Sequence, residues 1–138
     1  MDRRFSKGEK SIWVPGAAMT FPEVDLDAAL DSVIFGQDII KICRRGASWH
    51  YRRFYLLESP KRHLQWISEK KILSQCRLNL TRVTRIQLGP LSLPFMKRLK
   101  KLEGREELCV TIFYKNGTKE LDLLFDGQKE MEYFVTGL

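Results

Sequence analysis

Residues 108–125 read LCVTIFYKNGTKELDLLF, and this stretch gives the clearest indication of the fold. Two runs with the composition of β-strands, 108–114 and 119–125, flank Asn116-Gly117, a dipeptide that is preferred in tight hairpin turns. Because side chains alternate between the two sides of a strand, the second run has one apolar side, formed by Leu121, Leu123 and Phe125. The stretch therefore predicts an antiparallel hairpin with one buried face.

Segments on both sides of this hairpin extend the same architecture. After it, Asp126 can cap a helix whose apolar side consists of Met131, Phe134, Val135 and Leu138. Before it, five further runs have strand composition: 38–43, 49–57, 64–68, 76–80 and 83–88. Residues 94–104 interrupt the series with a helical pattern in which one face carries Phe95, Met96, Leu99 and Leu102. Several antiparallel strands followed by one amphipathic helix predict a bent sheet or small barrel with that helix over one opening.

The N-terminal part divides into an arm and a helix. Residues 1–24 are polar and basic at first and are then broken by Pro15 and Gly16, so we expect an irregular N-terminal arm. From residue 25, apolar residues recur at spacings of three and four up to Gly36, which predicts a short amphipathic helix with a glycine stop. Since 138 residues with 43% hydrophobic content suit one core, residues 25–138 are predicted to form one domain.

The charge of the protein is concentrated in residues 41–71. This segment holds nine basic and two acidic residues, a surplus of +7 that equals the net charge of the whole chain. Aromatic residues lie between the bases, which indicates a folded cationic surface: Trp49, Tyr51, Phe54, Tyr55 and Trp66. Such a surface suits an anionic partner, although a solvated sheet edge has the same composition. Nucleic acid ranks below lipid as the partner because no nucleic-acid-binding motif accompanies the charge.

Other features of the sequence argue against catalysis, cofactors and metals. Cys43, Cys76 and Cys109 stand singly, without the spacing of a zinc site, and are expected to be reduced thiols in a cytoplasmic compartment. Ser48 and His50 lie two residues apart with no third group to orient them. No run approaches the roughly 18 apolar residues of a membrane span. We therefore expect no catalytic residue, no cofactor, no metal and no transmembrane segment.

Five segments resemble the pleckstrin homology (PH) domain, in particular that of delta-type phospholipase C, over residues 25–138: DLDAALDSVIFGQ, IIKICRRGASWHYRRFYLL, LQWISEKK, LCVTIFYKNGTKELDLLF and EMEYFVTGL. The resemblance implies a mainly β protein with helices. Its expected form is a PH-like seven-stranded bent antiparallel barrel capped by a C-terminal α-helix, with a short N-terminal helix in front. It also implies a phosphoinositide headgroup between the first two hairpin loops, where several charge-assisted donors converge.

The PH resemblance also selects the candidate site residues. Lys41 matches the first-strand lysine, Arg53 the arginine before an aromatic pair, and Lys71 the lysine beyond the third strand. Arg44 and Arg45 lie in the first loop and are expected to contribute further phosphate contacts. The loop tryptophan is matched by Trp49, which is expected at the membrane interface.

Three positions depart from the PH pattern. Tyr51 and Cys43 stand where the family has bases, and Glu69 stands where a carboxylate would repel phosphate. The chain is also similar to the inner membrane complex sub-compartment proteins of apicomplexan parasites, which resemble isolated PH domains, carry N-terminal acyl anchors and are implied to act through protein contacts.

Two hypotheses follow from these patterns. The first is a noncatalytic PH-type module that docks peripherally at the cytosolic face of a membrane, through phosphoinositide or other anionic lipid headgroups. The second is a protein–protein interaction scaffold with a degenerate phosphoinositide pocket, which a separate N-terminal acyl anchor would hold at the membrane. Its contact surface is expected near residues 90–96, where apolar residues exceed what a loop requires.

Overall fold

The computed structural model describes residues 11–13, 24–42, 49–58, 62–68 and 76–138. Its strands are β1 (Ser11–Trp13), β2 (Gln37–Ile42), β3 (Trp49–Leu57), β4 (His63–Trp66), β5 (Arg77–Asn79), β6 (Val83–Leu88), β7 (Cys109–Tyr114) and β8 (Lys119–Leu124). The helices are α1 (Leu26–Phe35), α2 (Leu93–Met96) and α3 (Gln128–Gly137), and two 3-10 turns occupy Leu80–Arg82 and Glu106–Leu108. The strands form one antiparallel sheet in the order β1-β6-β7-β8-β2-β3-β4-β5. The predicted class, mainly β with helices, is confirmed, and β2–β8 are the seven expected strands.

The hairpin of β7 and β8 forms as predicted. The two strands pair from Cys109 opposite Leu124 to Tyr114 opposite Lys119. The backbone between them has positive φ angles of 50° at Lys115, 57° at Asn116 and 79° at Gly117. Asparagine and glycine are the residues that tolerate this region most readily, so the Asn-Gly pair permits the chain to reverse here.

Strands β2–β8 curve around one main core. Side chains from strands that are far apart in the sheet order belong to it, such as Leu78 of β5 and Leu121 of β8. Helix α3 covers this core with Met131 and Phe134, both fully buried. The ring of Phe134 lies 5.1 Å from that of Phe125, measured between centroids. The expected C-terminal helix over the sheet is therefore present.

Helix α1 has the predicted ends and packs very closely on α3. Asp25 caps its first turn through a side-chain hydrogen bond, and Gly36 ends it with a φ angle of 108°. A Cβ atom on Gly137 of α3 would lie 2.5 Å from Val33 Cγ2 and 2.7 Å from Ala29 O. Both distances are shorter than any ordinary contact, so the two helices approach each other at a position that accommodates only glycine.

Three residues of the N-terminal arm form a strand where the composition predicts irregular structure. Strand β1 pairs antiparallel with β6, with Ser11 opposite Leu88 and Trp13 opposite Ile86. Without β1, strand β6 would present a row of unpaired backbone groups at the sheet edge. The pairing uses backbone groups, and the side-chain composition of the arm therefore gave no indication of it.

A second, smaller core lies on the outer face of the sheet. Phe95 and Leu102 cover a group of buried side chains there, namely Ile40, Ile42, Cys109 and Leu124. The helix predicted for residues 94–104 is reduced to α2, and turns follow it up to Gly104. A continuous helix would place Leu99 on the same side as Phe95 and Leu102, yet Leu99 is 48% exposed. Packing of two side chains on the sheet thus outweighs the helical periodicity.

Buried hydrogen bonds join this covering segment, residues 92–105 and here called the insert, to the sheet. Asp122 Oδ1 accepts one from Ser92 Oγ at 2.6 Å and one from Thr111 Oγ1 at 2.7 Å. All three side chains are buried. In the sequence Asp122 has the position of a solvated residue on the polar side of β8, but the insert covers that side.

Candidate functional site

The two headgroup candidates within the described residues, Lys41 and Arg53, lie on opposite faces of the sheet. Lys41 stands opposite Leu123 of β8, a residue of the main core. Arg53 stands opposite Asp38 of β2. Asp38 and Lys41 are three residues apart on one strand, and successive side chains alternate between its faces. The structure therefore does not bring the two predicted phosphate ligands together.

Arg53 is engaged in local contacts at the end of α1. Its Nη1 lies 3.4 Å from Asp38 Oδ1, and the two side chains are 39% and 63% exposed. Its Nη2 donates a hydrogen bond to Phe35 O at 3.5 Å, and its guanidinium carbon lies 5.5 Å from the centroid of the Phe35 ring. A cation at the C-terminal end of a helix interacts favourably with the helix dipole. These contacts join β3 to α1.

The other headgroup candidates, Arg44, Arg45 and Lys71, lie outside the described residues, as do Cys43 and Glu69. Their roles stay predictions. Lys41 itself is half-buried near the end of β2.

Tyr51, which replaces a base of the PH pattern, is exposed and donates a hydrogen bond from its hydroxyl group to Asp126 Oδ1 at 3.0 Å. This hydrogen bond, together with the negative charge of Asp126, raises the pKa of Tyr51. The Asp126 carboxylate thus accepts a hydrogen bond from Tyr51. The prediction that Asp126 caps the last helix is wrong. Helix α3 begins at Gln128 with Gly127 in the N-cap position and no side-chain cap.

Trp49 is half-buried and packs against the second core. Lys101 Nζ lies 5.1 Å and Arg105 Cζ 5.5 Å from the centroid of a Trp49 ring. Both distances are within the range of cation–π interactions. Arg105 Nη2 also donates a hydrogen bond to Lys101 O at 2.7 Å. The tryptophan predicted for the membrane interface thus connects β3 with the basic end of the insert.

The outer side of the insert combines apolar and basic side chains. Leu93, Met96 and Leu99 are 62%, 55% and 48% exposed. Three lysines of the same segment are also exposed, and these six residues are called the insert face below: Leu93, Met96, Lys97, Leu99, Lys100 and Lys101.

Sequence reasoning anticipated the insert face only in part. It indicated an apolar excess in residues 90–96, but it placed Met96 and Leu99 on the same side as Phe95 and Leu102, which are fully buried. Leu93, Met96 and Leu99 are spaced by three, but Leu102 continues the same spacing and is fully buried, so the spacing of apolar residues does not separate the exposed set from the buried one.

These observations define a mainly β protein whose antiparallel sheet is covered by a C-terminal helix, an arrangement consistent with a PH-like fold. The chain matches no model of a protein family and no curated protein. Among solved structures it is similar to inner membrane complex sub-compartment protein 3 from Toxoplasma gondii, with a TM-score of 0.57 and 12% sequence identity over 80% of this chain and 77% of that chain. At this identity the likeness shows a related fold, as the resemblance to that group of proteins predicted, and not a delta-type phospholipase C in particular.

Two further findings concern the part of the chain that the structure describes. No helix in it has the length and apolar character needed to cross a membrane. Its histidine, cysteine, aspartate and glutamate side chains do not gather in threes that could hold a metal ion.

Proposed function

We propose that this protein is a noncatalytic PH-like module that attaches peripherally to an anionic membrane. The observation that carries the proposal is the insert face, where three exposed apolar side chains lie beside three exposed lysines on one short segment. Apolar side chains enter the region between headgroups and acyl chains, and lysines are attracted by anionic phospholipids. A surface that offers both is suited to a negatively charged bilayer.

The expected attachment is moderate and depends on salt. Each lysine near an anionic surface contributes about 1 kcal/mol, so that Lys97, Lys100 and Lys101 together contribute about 3 kcal/mol. Each buried CH₂ group adds about 0.8 kcal/mol. The electrostatic part acts over a Debye length, about 10 Å at 0.1 M salt, and therefore weakens as the salt concentration rises.

The insert presents these side chains from a fixed base. Phe95 and Leu102 anchor it in the second core, and Asp122 accepts the hydrogen bond from Ser92 at its start. At its other end Lys101 lies over the ring of Trp49. Fixing the segment before it meets a membrane reduces the conformational entropy that binding would otherwise cost.

More specifically, the proposal includes a site that binds a phosphoinositide headgroup. Its candidate ligands remain Lys41, Arg44, Arg45, Arg53 and Lys71, with Trp49 at the interface and the cytosolic face of a membrane as the location. The contacts of Arg53 with Asp38 and Phe35 hold its guanidinium group at the end of α1, so that a headgroup would have to compete with them for this side chain.

A protein–protein interaction scaffold is the second candidate function. Exposed leucine and methionine side chains also suit a protein interface. The similar protein from Toxoplasma gondii belongs by its name to a sub-compartment of an inner membrane complex. A scaffold of this kind would bind a protein partner through the insert face and would rely on a separate N-terminal acyl anchor for membrane attachment.

Sedimentation with vesicles tests the membrane proposal. The full chain is mixed with phosphatidylcholine vesicles, alone or with phosphatidylserine or phosphatidylinositol 4,5-bisphosphate, at low and high salt. We expect recovery on the anionic vesicles only. The variants Leu93→Ser/Met96→Ser and Lys97→Glu/Lys100→Glu should each raise the Kd at least about tenfold.

The matched control is Lys119→Glu/Lys129→Glu, which makes the same change of charge at two exposed positions outside the insert. It should leave the Kd within about twofold of the original value, since neither lysine belongs to the insert face. Equal recovery on neutral and anionic vesicles, or equal weakening in the control, would refute the proposal. Self-association that Leu93→Ser/Met96→Ser abolishes, without any vesicle binding, would favour the scaffold.

A further inference from the structure

A cleft of about 250 Å³ lies at the corner where β5 meets the turn of the β7–β8 hairpin. Strand β5 and the 3-10 turn after it supply one side, and the start of the hairpin turn supplies the other. Its polar lining consists of His63, Arg77, Asn79, Arg82, Tyr114 and Lys115. No carboxylate is among the lining residues. None of these residues belongs to the insert face or to the headgroup candidates.

Three of the lining side chains are basic. Arg77, Arg82 and Lys115 are exposed, and within the described ranges no carboxylate forms an ion pair with any of them. Their charges are therefore not neutralised by described neighbours. Two guanidinium groups and one ammonium group around one cleft are suited to an anion with several oxygen atoms, since each guanidinium offers paired donors in a fixed plane.

The neutral lining groups are prepared to donate hydrogen bonds. Asn79 Oδ1 already accepts hydrogen bonds from Thr81 N at 2.9 Å and Thr81 Oγ1 at 2.7 Å, so its NH₂ group is the part that faces other partners. The hydroxyl group of Tyr114 is a further donor at neutral pH, and burial raises its pKa further above that range. Besides the apolar side chain of Leu78, a ligand in this cleft would thus meet positive charge and donors, and these polar groups select a ligand group with acceptors only.

We propose that this cleft binds a small molecule that carries phosphate groups. Phosphate fits the lining because it is doubly charged near neutral pH and its oxygens accept several hydrogen bonds at once. The phosphates belong either to a soluble ester or to a lipid headgroup, and the chemistry of recognition is the same for both. This proposal does not depend on membrane attachment through the insert face.

Calorimetric titration of the full chain with tripolyphosphate at low salt tests the proposal. We expect saturable binding at one site per chain. Arg77→Gln/Arg82→Gln should raise the Kd at least about tenfold, because two charge-assisted interactions are lost. Arg77→Lys/Arg82→Lys should give a smaller increase, since it keeps the charge but loses the paired donors. If the glutamine variant does not fold, Lys115→Gln takes its place, with an increase of at least about threefold.

Lys129→Gln is the matched control, since it removes one exposed positive charge outside both the cleft and the insert face, as Lys115→Gln does within the cleft. It should leave the Kd for tripolyphosphate within about twofold of the original value. Absence of saturable binding, or equal weakening in this control, would overturn the proposal and leave only a general attraction between a cationic protein and an anion. Failure here does not affect the vesicle experiment, which depends on different residues.

The source of the phosphates follows from a second arm of the experiment. Arg77→Gln/Arg82→Gln is tested on vesicles that contain phosphatidylinositol 4,5-bisphosphate and on vesicles that contain phosphatidylserine. A selective loss on the first kind supports the cleft as a headgroup site. A loss for tripolyphosphate alone, with vesicle binding unchanged, supports it as a site for a soluble phosphate ester.

Discussion

Replacement of Asp122 by alanine should loosen the insert from the sheet. The change removes the acceptor of two short hydrogen bonds and leaves the hydroxyl groups of Ser92 and Thr111 buried without it. A hydrogen bond to a charged group contributes about 1.5–3 kcal/mol. We expect a loss near the lower limit for two such bonds, about 3 kcal/mol, because the substitution also removes the cost of burying a carboxylate. A loss of this size lowers the Tm of a domain of this length by about 10 °C.

Urea unfolding and limited proteolysis with trypsin measure this effect. Trypsin cleaves after lysine and arginine, and the insert contains Lys97, Lys100 and Lys101, all exposed. In Asp122→Ala the first cleavage should move into the insert, since a locally detached segment opens more often than the sheet. The control is Thr118→Ala, which removes an exposed hydroxyl group that donates to a backbone carbonyl at 2.7 Å.

The control should change the free energy of unfolding by less than about 0.5 kcal/mol, as exposed surface substitutions usually do. An Asp122→Ala protein as stable as the control, with first cleavage outside the insert, would show that the buried hydrogen bonds do not hold the insert in place.

Further predictions concern the helix pair, the two faces of the sheet and a buried thiol. Gly137→Ala should reduce the free energy of unfolding in urea by about 1–3 kcal/mol, because its Cβ would overlap Val33 and the backbone of α1; unchanged stability would contradict this. Lys41→Glu and Arg53→Glu should each weaken binding to phosphatidylinositol 4,5-bisphosphate vesicles, because both side chains are candidate headgroup ligands; unchanged sedimentation of both variants would refute the expectation. Burial raises the pKa of Cys109 from 9.0 to about 12. Alkylation of this thiol at pH 8, measured by peptide mass spectrometry, should therefore be slow until the protein is unfolded. Equal alkylation rates for folded and unfolded protein would count against this prediction. Since the folded pKa is the higher one, the stability linked to the neutral thiol is complete below about pH 9 and is lost as the pH rises toward 12, which urea midpoints across this range would measure.

The elements that could be predicted from the sequence are those set by short-range interactions. The β7–β8 hairpin follows from an Asn-Gly pair between two apolar runs, and the ends of α1 follow from Asp25 and Gly36. Each of these signals acts within a few residues, because a turn or a cap depends on the backbone conformation and hydrogen bonds of its immediate neighbours. The apolar side of α3 also predicts correctly that this helix covers the main core. The residue at its N-cap was predicted wrongly, since Gly127 and not Asp126 has that position.

The candidate site was less predictable because it depends on which segments meet. Charge concentration and the PH resemblance selected Lys41 and Arg53, but the pairing register of β2 and β3 places them on different faces. The residues of either strand alone do not determine which residue of the other strand they pair with. The lysines of the insert were predicted as a helix face, and their position beside exposed Leu93, Met96 and Leu99 follows from the packing of Phe95 and Leu102 on the sheet.

Local patterns in the sequence were sufficient for the class of the protein, the strand series and the ends of α1. The tertiary structure decided which side of each element is covered: it buried Asp122 under the insert, turned Arg53 toward α1 and grouped Arg77, Arg82 and Lys115 around one cleft. The physical reason is that hydrogen bonds of turns and caps join near neighbours, whereas burial and the convergence of charges join residues that are distant in the chain. The cationic segment 41–71, which dominates the sequence, is therefore accompanied by two other groups of basic side chains, those of the insert face and those of the cleft.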